Sequence, residues 1–277
     1  MISYLVIGVL ILHEALVTII LKIKNMKNKI VLIFTLAVLF SMKSFSQVKS
    51  QNNNIWFHYV GKNMITEKAS FTLEATMRYA NGFSEKQQWF IRPSLDYKFT
   101  SKITGSIGFT HYDTYVYGDP ALNKITSPEN HVWIQGIYTH SKGDFKFVHR
   151  LRDENRFVGI AKLNTTSGDF EIGHYEYRNR VRYMFLANYA LTKVDDKTKL
   201  FAVVGDEMFL NIGSNAGKTL FNQNRIIAGL GYNINLNHQL QLNYIHQNIW
   251  NFSNTIQEIN PTVRMSYITN FDWTKEE

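Results

Sequence analysis

The feature that most constrains this chain is a strict alternation of apolar and polar residues along segments of ten or more residues. In the stretch ASFTLEATMRYA (69–80), Phe71 and Leu73 fall on one face, and Thr72 and Glu74 fall on the other. A period of two is typical of β-strands with one apolar and one polar face. Many of these segments exceed the five or six residues usual in globular sheets and suit the roughly nine to eleven residues of a tilted membrane-spanning strand.

Alternating segments recur along most of the chain, separated in turn by short and long connections. We predict a short strand near 53–60 and ten longer strands, near 70–80, 88–99, 103–115, 131–141, 144–157, 174–190, 199–211, 222–235, 239–250 and 259–273. The short connections are 100–102, 141–144, 191–198 and 235–238, and the longer ones are 116–130, 158–173, 212–221 and 251–258. Short turns on one side and long loops on the other are typical of outer-membrane barrels, with the turns in the periplasm.

The predicted fold class is therefore all-β: an antiparallel transmembrane (outer-membrane) β-barrel of 10–12 strands with an N-terminal signal peptide. An even number of strands is expected, so the segment 53–60 should lie across the periplasmic mouth or inside the lumen, unless two strands have been merged. A soluble β-sandwich or lipocalin-like barrel would also alternate, but with shorter strands whose apolar face points inward. The polar faces here carry too much charge for a solvent-facing sheet to explain easily.

The two ends of the chain carry signals of their own. Residues 26–46 have two lysines, a short apolar run and then small polar residues, which predicts a signal peptide cleaved after Ser46. Residues 1–25 are interpreted as an over-extended N-terminus or, alternatively, an apolar anchor, and residues 47–277 as the barrel. At the other end Tyr267, Phe271 and Trp273 share one face, which resembles the signal read by the barrel-assembly machinery, although four more residues follow.

Composition excludes several classes of protein. The formal charge of +8 falls to +4 once the five lysines and one glutamate of residues 1–46 are removed, and no basic cluster with interleaved aromatics is present, so a nucleic-acid binder is not indicated. The absence of cysteine excludes disulfides and thiolate zinc sites. The residues His111, Asp113 and His131 are too loosely spaced to indicate a metal site, and we expect neither a metal nor a cofactor.

The arginines are distributed differently from the lysines. All ten arginines after residue 46 fall in predicted strands and on their polar faces, as in HRLRDENRF (149–157), whereas most lysines fall in turns or at strand ends. A charge on the lipid face near the membrane midplane costs roughly 2–4 kcal/mol, so these side chains should point into the lumen. The predicted polar network of the lumen is Glu74, Arg78, Arg92, Asp96, Arg150, Arg152, Glu154, Arg156, Arg178, Arg180, Arg182, Glu207, Gln223, Arg225 and Arg264.

Several of these motifs occur together in one known family. Trp56, HRLRDENRF, RNRVRY (178–183), Glu207 and FNQNRIIAGLGY (221–232) resemble, in order and strand context, the outer-membrane proteins of Gram-negative Bacteroidetes grouped as domain of unknown function 2490. The resemblance extends over residues 50–272 and implies a β-barrel in the cell outer membrane. The activity of that family is not established, so the resemblance implies no catalytic residues.

The predicted functions fall into three classes. The first is a structural or interaction barrel that contacts outer-membrane lipid and uses the loops 116–130 and 158–173 as contact surfaces, its lumen filled by a self-satisfied polar network. The second is a small anion-preferring channel or lipid-handling barrel, in which the surplus arginines line a passage. The third is a lipid acyl hydrolase at the membrane interface, for which His149, His174 and His246 are the candidate histidines. The sequence indicates no oligomeric state.

Overall fold

The computed structural model describes residues 48–274, which form one closed sheet. Its strands are β1 (Val48–Gln51), β2 (Asn54–Met64), β3 (Ala69–Ala80), β4 (Glu85–Lys98), β5 (Ile103–Thr114), β6 (Ser127–Lys142), β7 (Phe145–Leu163), β8 (Phe170–Val194), β9 (Lys197–Ile212), β10 (Phe221–Asn233), β11 (His238–Trp250) and β12 (Ile256–Asp272). From β2 to β12 each strand pairs antiparallel with the next, and β12 pairs with β2 to close the barrel. The predicted fold class, an all-β barrel of 10–12 strands, is confirmed.

The closure is parallel, and this corrects the prediction for 53–60. The register runs from Thr262 opposite Asn54 to Asp272 opposite Met64. The segment 53–60 therefore lies neither across the mouth nor inside the lumen, but belongs to a barrel strand, β2. Eleven strands in an up-and-down order leave the first and the last pointing the same way, so they can pair only in parallel, and the expectation of an even number is wrong for this chain.

The two ends of the barrel differ. At the short-turn end the connections are 65–68, 99–102, 143–144, 195–196 and 234–237, and at the loop end they are 81–84, 115–126, 164–169, 213–220 and 251–255. Asp195 and Asp196 both have positive φ, which fits the two-residue turn that matches strand twist. Because β1 runs parallel to the start of β12, the described chain begins at the loop end and its last strand finishes at the short-turn end.

Strands β7 and β8 extend beyond their neighbours at the loop end. Strand β6 pairs with β7 only as far as Val158, and β9 pairs with β8 only from Asn179 onward, whereas β7 and β8 pair with each other to Leu163 opposite Phe170. The segment 158–173, predicted as a long loop, is therefore mostly a two-stranded arm around the short loop 164–169. Strands β7 and β8 thus continue to pair with each other beyond the ends of their other neighbours.

The two faces of each strand have opposite characters. On β7, Leu151 is 58 % exposed on the outer surface and Arg152 is 2 % exposed inside. The outer surface is mostly apolar, and the interior is mostly polar with a few aromatic residues. Among residues 48–274 no helix is long and apolar enough to cross a membrane. The predicted signal peptide, its cleavage after Ser46 and the segment 1–25 lie outside the described residues.

Candidate functional site

The centre of the lumen is built on Glu154, which lies on β7 and is completely buried. Register places Arg180 of β8 directly opposite it, and Arg182 next along the same inward face. Nε and Nη2 of Arg180 donate to one carboxylate oxygen at 2.8 and 2.6 Å, and Nη1 of Arg182 donates to the other at 2.6 Å. Such multidentate, charge-assisted bonds are the strong ones in proteins, so this carboxylate ties neighbouring strands together.

A second carboxylate, Glu207 of β9, extends the cluster. It accepts from Arg182 at 2.6 and 3.0 Å and from Arg150 at 2.5 Å, and a longer contact of 3.4 Å reaches Arg225. One glutamate thus contacts three guanidinium groups that come from β7, β8 and β10. The alternation of the strands brings them together, because each group occupies an inward position of its own strand.

Two further acidic groups hold arginines at other positions around the wall. Glu74 contacts Arg92 at 2.7 Å and His58 at 3.1 Å. Glu129 contacts both Arg156 and His131. The arginines also lie over aromatic rings, where cation–π attraction adds to the ion pairs; these pairs are Arg152 over Trp133 at 4.2 Å, Arg182 over Phe209 at 4.4 Å and Arg92 over Phe90 at 4.5 Å.

The arginines around Trp56 have fewer carboxylate contacts. Arg264 of β12 and Arg78 of β3 are its two cross-strand neighbours, and Arg225 approaches the same ring. Arg78 lies over the indole at 4.1 Å and donates to Gln88, but forms no ion pair with any residue in 48–274. Arg264 has neither an ion pair nor a hydrogen bond within that range, and its Nε is buried without a partner.

These residues surround a cavity of about 200 Å³ in the lumen. The arginines in its wall outnumber the glutamates by eight to three; the arginines are Arg78, Arg92, Arg150, Arg156, Arg180, Arg182, Arg225 and Arg264, and the glutamates are Glu74, Glu129 and Glu207. Two histidines, His58 and His131, also line the cavity. The enclosed space therefore carries a large surplus of positive charge.

A second cavity, of about 370 Å³, lies toward the short-turn end. Its wall contains Lys146, Asn188, Phe201 and Gln241, and no arginine. Leu186 lines both cavities and packs against a buried apolar cluster of Trp56, Ile227 and Ile245. Apolar side chains thus lie where the two cavities approach each other.

The loop end of the lumen is covered by the connection between β5 and β6. Tyr117 in this loop is 8 % exposed, lines the arginine-rich cavity, and donates its hydroxyl to the buried Glu258 of β12 at 3.1 Å. Gly118 beside it donates its backbone N–H to Glu85 at 3.1 Å. Burial, followed by the nearby charge of Glu258, raises the pKa of Tyr117 well above its usual value, so the phenol stays protonated and remains a donor.

Most residues of the predicted polar network contribute to this one cluster. Two do not: Asp96 accepts from Thr72 at 2.5 Å toward the short-turn end, and Arg178 pairs with Glu176 at 2.6 Å and lies over Phe252 near the loop end. The other thirteen either line the cavity or, as with Arg152 and Glu154, pack directly behind its wall.

Four inward-facing residues lie in the wall of the lumen but are absent from the predicted polar network: Glu129, His131, Trp133 and His58. The first three occupy successive inward positions at the start of β6, where the strand begins at Ser127, earlier than predicted. The signal was present, because the alternation of 131–141 continues upstream to 129, but the loop-like residues around it obscured it. His58 lay in the short segment for which no barrel position was predicted.

The histidines considered for metal binding and hydrolysis lie on different faces. His111 faces outward and contacts Asp113 at 3.6 Å, whereas His131 faces inward. His149 is on the outer surface and contacts the hydroxyl of Tyr183 at 2.8 Å. A serine–histidine–carboxylate chain does exist in the lumen: His58 Nδ1 lies 3.0 Å from Ser266 Oγ, and Nε2 lies 3.1 Å from Glu74. Ser266 is only 2 % exposed, which leaves little room for a substrate carbonyl to reach it.

Comparisons with known proteins identify the family. No curated protein sequence matches the chain. Among solved structures, the NanC porin in a rhombohedral crystal form is similar at 11 % sequence identity and a TM-score of 0.39, covering 74 % of this chain and 93 % of its own. The family model described as protein of unknown function DUF2490 matches residues 53–258, which is most of the barrel. This protein therefore belongs to the DUF2490 family.

Proposed function

We propose that this protein is an outer-membrane β-barrel that spans the bilayer with β2–β12 and carries its short turns in the periplasm. The support is its outer surface, where residues such as Leu95, Ile107, Leu151, Val204 and Leu242 are more than half exposed in the isolated barrel. Such a surface is a liability in water but is suited to lipid. Outer-membrane fractionation of cells that make the full chain tests the location, and mass spectrometry of the N-terminus tests cleavage after Ser46.

Within that location we propose a structural or interaction barrel with a closed lumen. The observation that carries this is that Tyr117 lies over the loop end of the lumen, where it is buried and donates to Glu258 of β12 on another part of the wall. Barrels of about eight strands are filled by side chains, and those of sixteen to eighteen leave an aqueous channel. This one has eleven strands, and ion-paired side chains such as Arg182 and Glu207 occupy part of its interior. Its contact surfaces are the loop 115–126 and the arm formed by β7 and β8.

Planar bilayer recording of the purified, refolded barrel tests the closed lumen. We expect no steady conductance steps from the wild-type protein. Steady conductance steps from the wild-type barrel would contradict the proposal. The conductance of Tyr117→Ala should be recorded beside that of the wild type. This variant removes the side chain that covers the loop end while leaving all the strands intact.

A second candidate is a small anion-preferring passage, and one observation favours it: eight arginines and three glutamates in the wall of the central cavity. Any current through such a lumen should favour anions, since fixed positive charge attracts them. Reversal potentials in a salt gradient across the bilayer separate the two candidates. Anion-selective current in the wild type supports the passage, and its absence supports the closed barrel.

Contact with the barrel-assembly machinery through β12 belongs to the same proposal. Tyr267 and Phe271 are exposed on the outer face of β12, near its end at the short-turn side of the barrel. Replacing both with serine should reduce the folded barrel recovered from outer membranes but leave detergent refolding of the purified chain nearly unchanged. Equal losses in the two settings would indicate a defect of folding rather than of recognition.

A further inference from the structure

The arginines of the lumen fall into two groups, according to whether glutamates satisfy them. The carboxylates are already engaged: Glu154 by Arg180 and Arg182, and Glu207 by Arg182 and Arg150 at 2.6 Å or less. Glu74 serves Arg92 and His58 in the same way. The second oxygen of Glu207 contacts only Arg225, at 3.4 Å, so it adds little to satisfying the arginines around Trp56.

Those arginines have neutral partners or none within residues 48–274, apart from one long contact. Arg264 forms no hydrogen bond or ion pair with that part of the chain, and Arg78 has only the amide of Gln88. Arg225 reaches Glu207 only at 3.4 Å and otherwise donates to the side-chain amide oxygen of Gln223, from Nε at 2.6 Å and from Nη2 at 3.0 Å. Nε is buried without an acceptor in both Arg78 and Arg264. A guanidinium group enclosed in a protein without an anion is costly, so such a cluster is either expensive to maintain or completed by something from outside the chain.

The geometry provides a place for that missing partner. Arg264 and Arg78 flank Trp56 on the two neighbouring strands, Arg225 lies over the same ring at 5.1 Å, and all three line the cavity. The volume of about 200 Å³ is several times the roughly 30 Å³ that one water occupies in the liquid, so a small oxyanion fits.

We propose that this cavity is a binding site for a small oxyanion, a carboxylate or a phosphate, held by Arg264, Arg78 and Arg225 beside Trp56. Guanidinium groups match the geometry of both anions with paired N–H donors. The anion takes the place that a further glutamate would occupy and completes the network on this side of the barrel. The site goes beyond the structural role proposed above, because a closed barrel and a conducting one can each contain it.

Isothermal titration of the refolded barrel in detergent at low ionic strength tests the site. The probes are inorganic phosphate and acetate, added separately, and the variants are Arg264→Gln and Arg78→Gln. We expect the wild type to bind at least one probe, and each variant to bind it about tenfold to hundredfold more weakly, as the loss of a charged hydrogen bond implies. The probe bound more tightly identifies the class of oxyanion.

The matched control is Arg178→Gln. Arg178 also lies on the inner face of a strand and over an aromatic ring, but it pairs with Glu176 and does not line the cavity. Its replacement should leave the affinity unchanged. Failure of the wild type to bind either probe would overturn the proposal, as would equal weakening by Arg178→Gln and Arg264→Gln. Heat-modifiable migration on gels verifies that each variant is folded, and Arg78→Gln serves as the test if Arg264→Gln does not fold.

Discussion

Arginines have different surroundings on the two sides of the lumen. On the side formed by β7, β8 and β9, guanidinium groups surround the buried Glu154 and Glu207, with contacts near 2.6 Å. On the side formed by β2, β3 and β12, Arg78 and Arg264 flank Trp56 without an ion pair to any residue from 48 to 274. The first arrangement takes the place of a hydrophobic core. The second leaves Arg264 without a hydrogen-bond or ion-pair partner among residues 48–274, which suits it to an external anion, so we expect Arg264 to contribute less to folding than the paired arginines.

The largest effect should come from Glu154→Gln on the paired side. It leaves Arg180 without its carboxylate acceptor, and Arg182 with only Glu207, around a completely buried position. Breaking a buried ion pair from one side costs about 3–5 kcal/mol, so the variant should lose most of its folded barrel. Urea unfolding followed by heat-modifiable mobility measures this. The control is Glu176→Gln, which breaks the ion pair with Arg178 near the loop end. An equally large loss of folded barrel in this control would show that the central position of Glu154 has no special importance for stability.

The second largest effect is expected from Leu151→Arg, which tests which face of β7 points outward. Leu151 is 58 % exposed on the outer surface, between the inward Arg150 and Arg152. An arginine facing lipid near the midplane costs roughly 2–4 kcal/mol. Folding into lipid vesicles should therefore be impaired, and more so than by Arg152→Gln. Equal yields of folded barrel from both variants would mean that the inside and the outside have been exchanged.

A smaller effect is expected from Tyr117→Phe at the loop end. The change removes only the hydroxyl that donates to Glu258 at 3.1 Å. Asn260 still donates to the same carboxylate oxygen at 3.0 Å, so the cost should be that of one hydrogen bond, about 0.5–1.5 kcal/mol. The midpoint of urea unfolding should fall modestly, and proteolysis in the loop 115–126 should become faster. The control is Tyr115→Phe in the same loop. If proteolysis is as slow as in the wild type, Tyr117 does not hold the loop over the lumen.

Alternation was enough to predict the barrel and the inward face of HRLRDENRF, because in a strand every second side chain must share a face. It was not enough to predict the parallel closure. That depends on pairing between β2 and β12, about two hundred residues apart in sequence, and nothing local in either strand indicates it. Nor does alternation separate Arg182, which is bound by two glutamates, from Arg264, which is bound by none in the described part of the chain. Both occupy inward positions, and only their neighbours across the lumen distinguish them.

The most direct test is urea unfolding of the wild type and of Arg264→Gln, each with and without the oxyanion that binds. It is also the test in which the substitution itself should change stability least. Without it, Arg264→Gln should be as stable as the wild type or slightly more so, because an unpaired positive charge has been removed. At an anion concentration about a hundred times the Kd, the wild type should gain about 2.7 kcal/mol, and Arg264→Gln should gain much less. Strong destabilisation of Arg264→Gln without anion, or an equal gain in both proteins, would contradict the division of the lumen into a paired structural side and an open binding side.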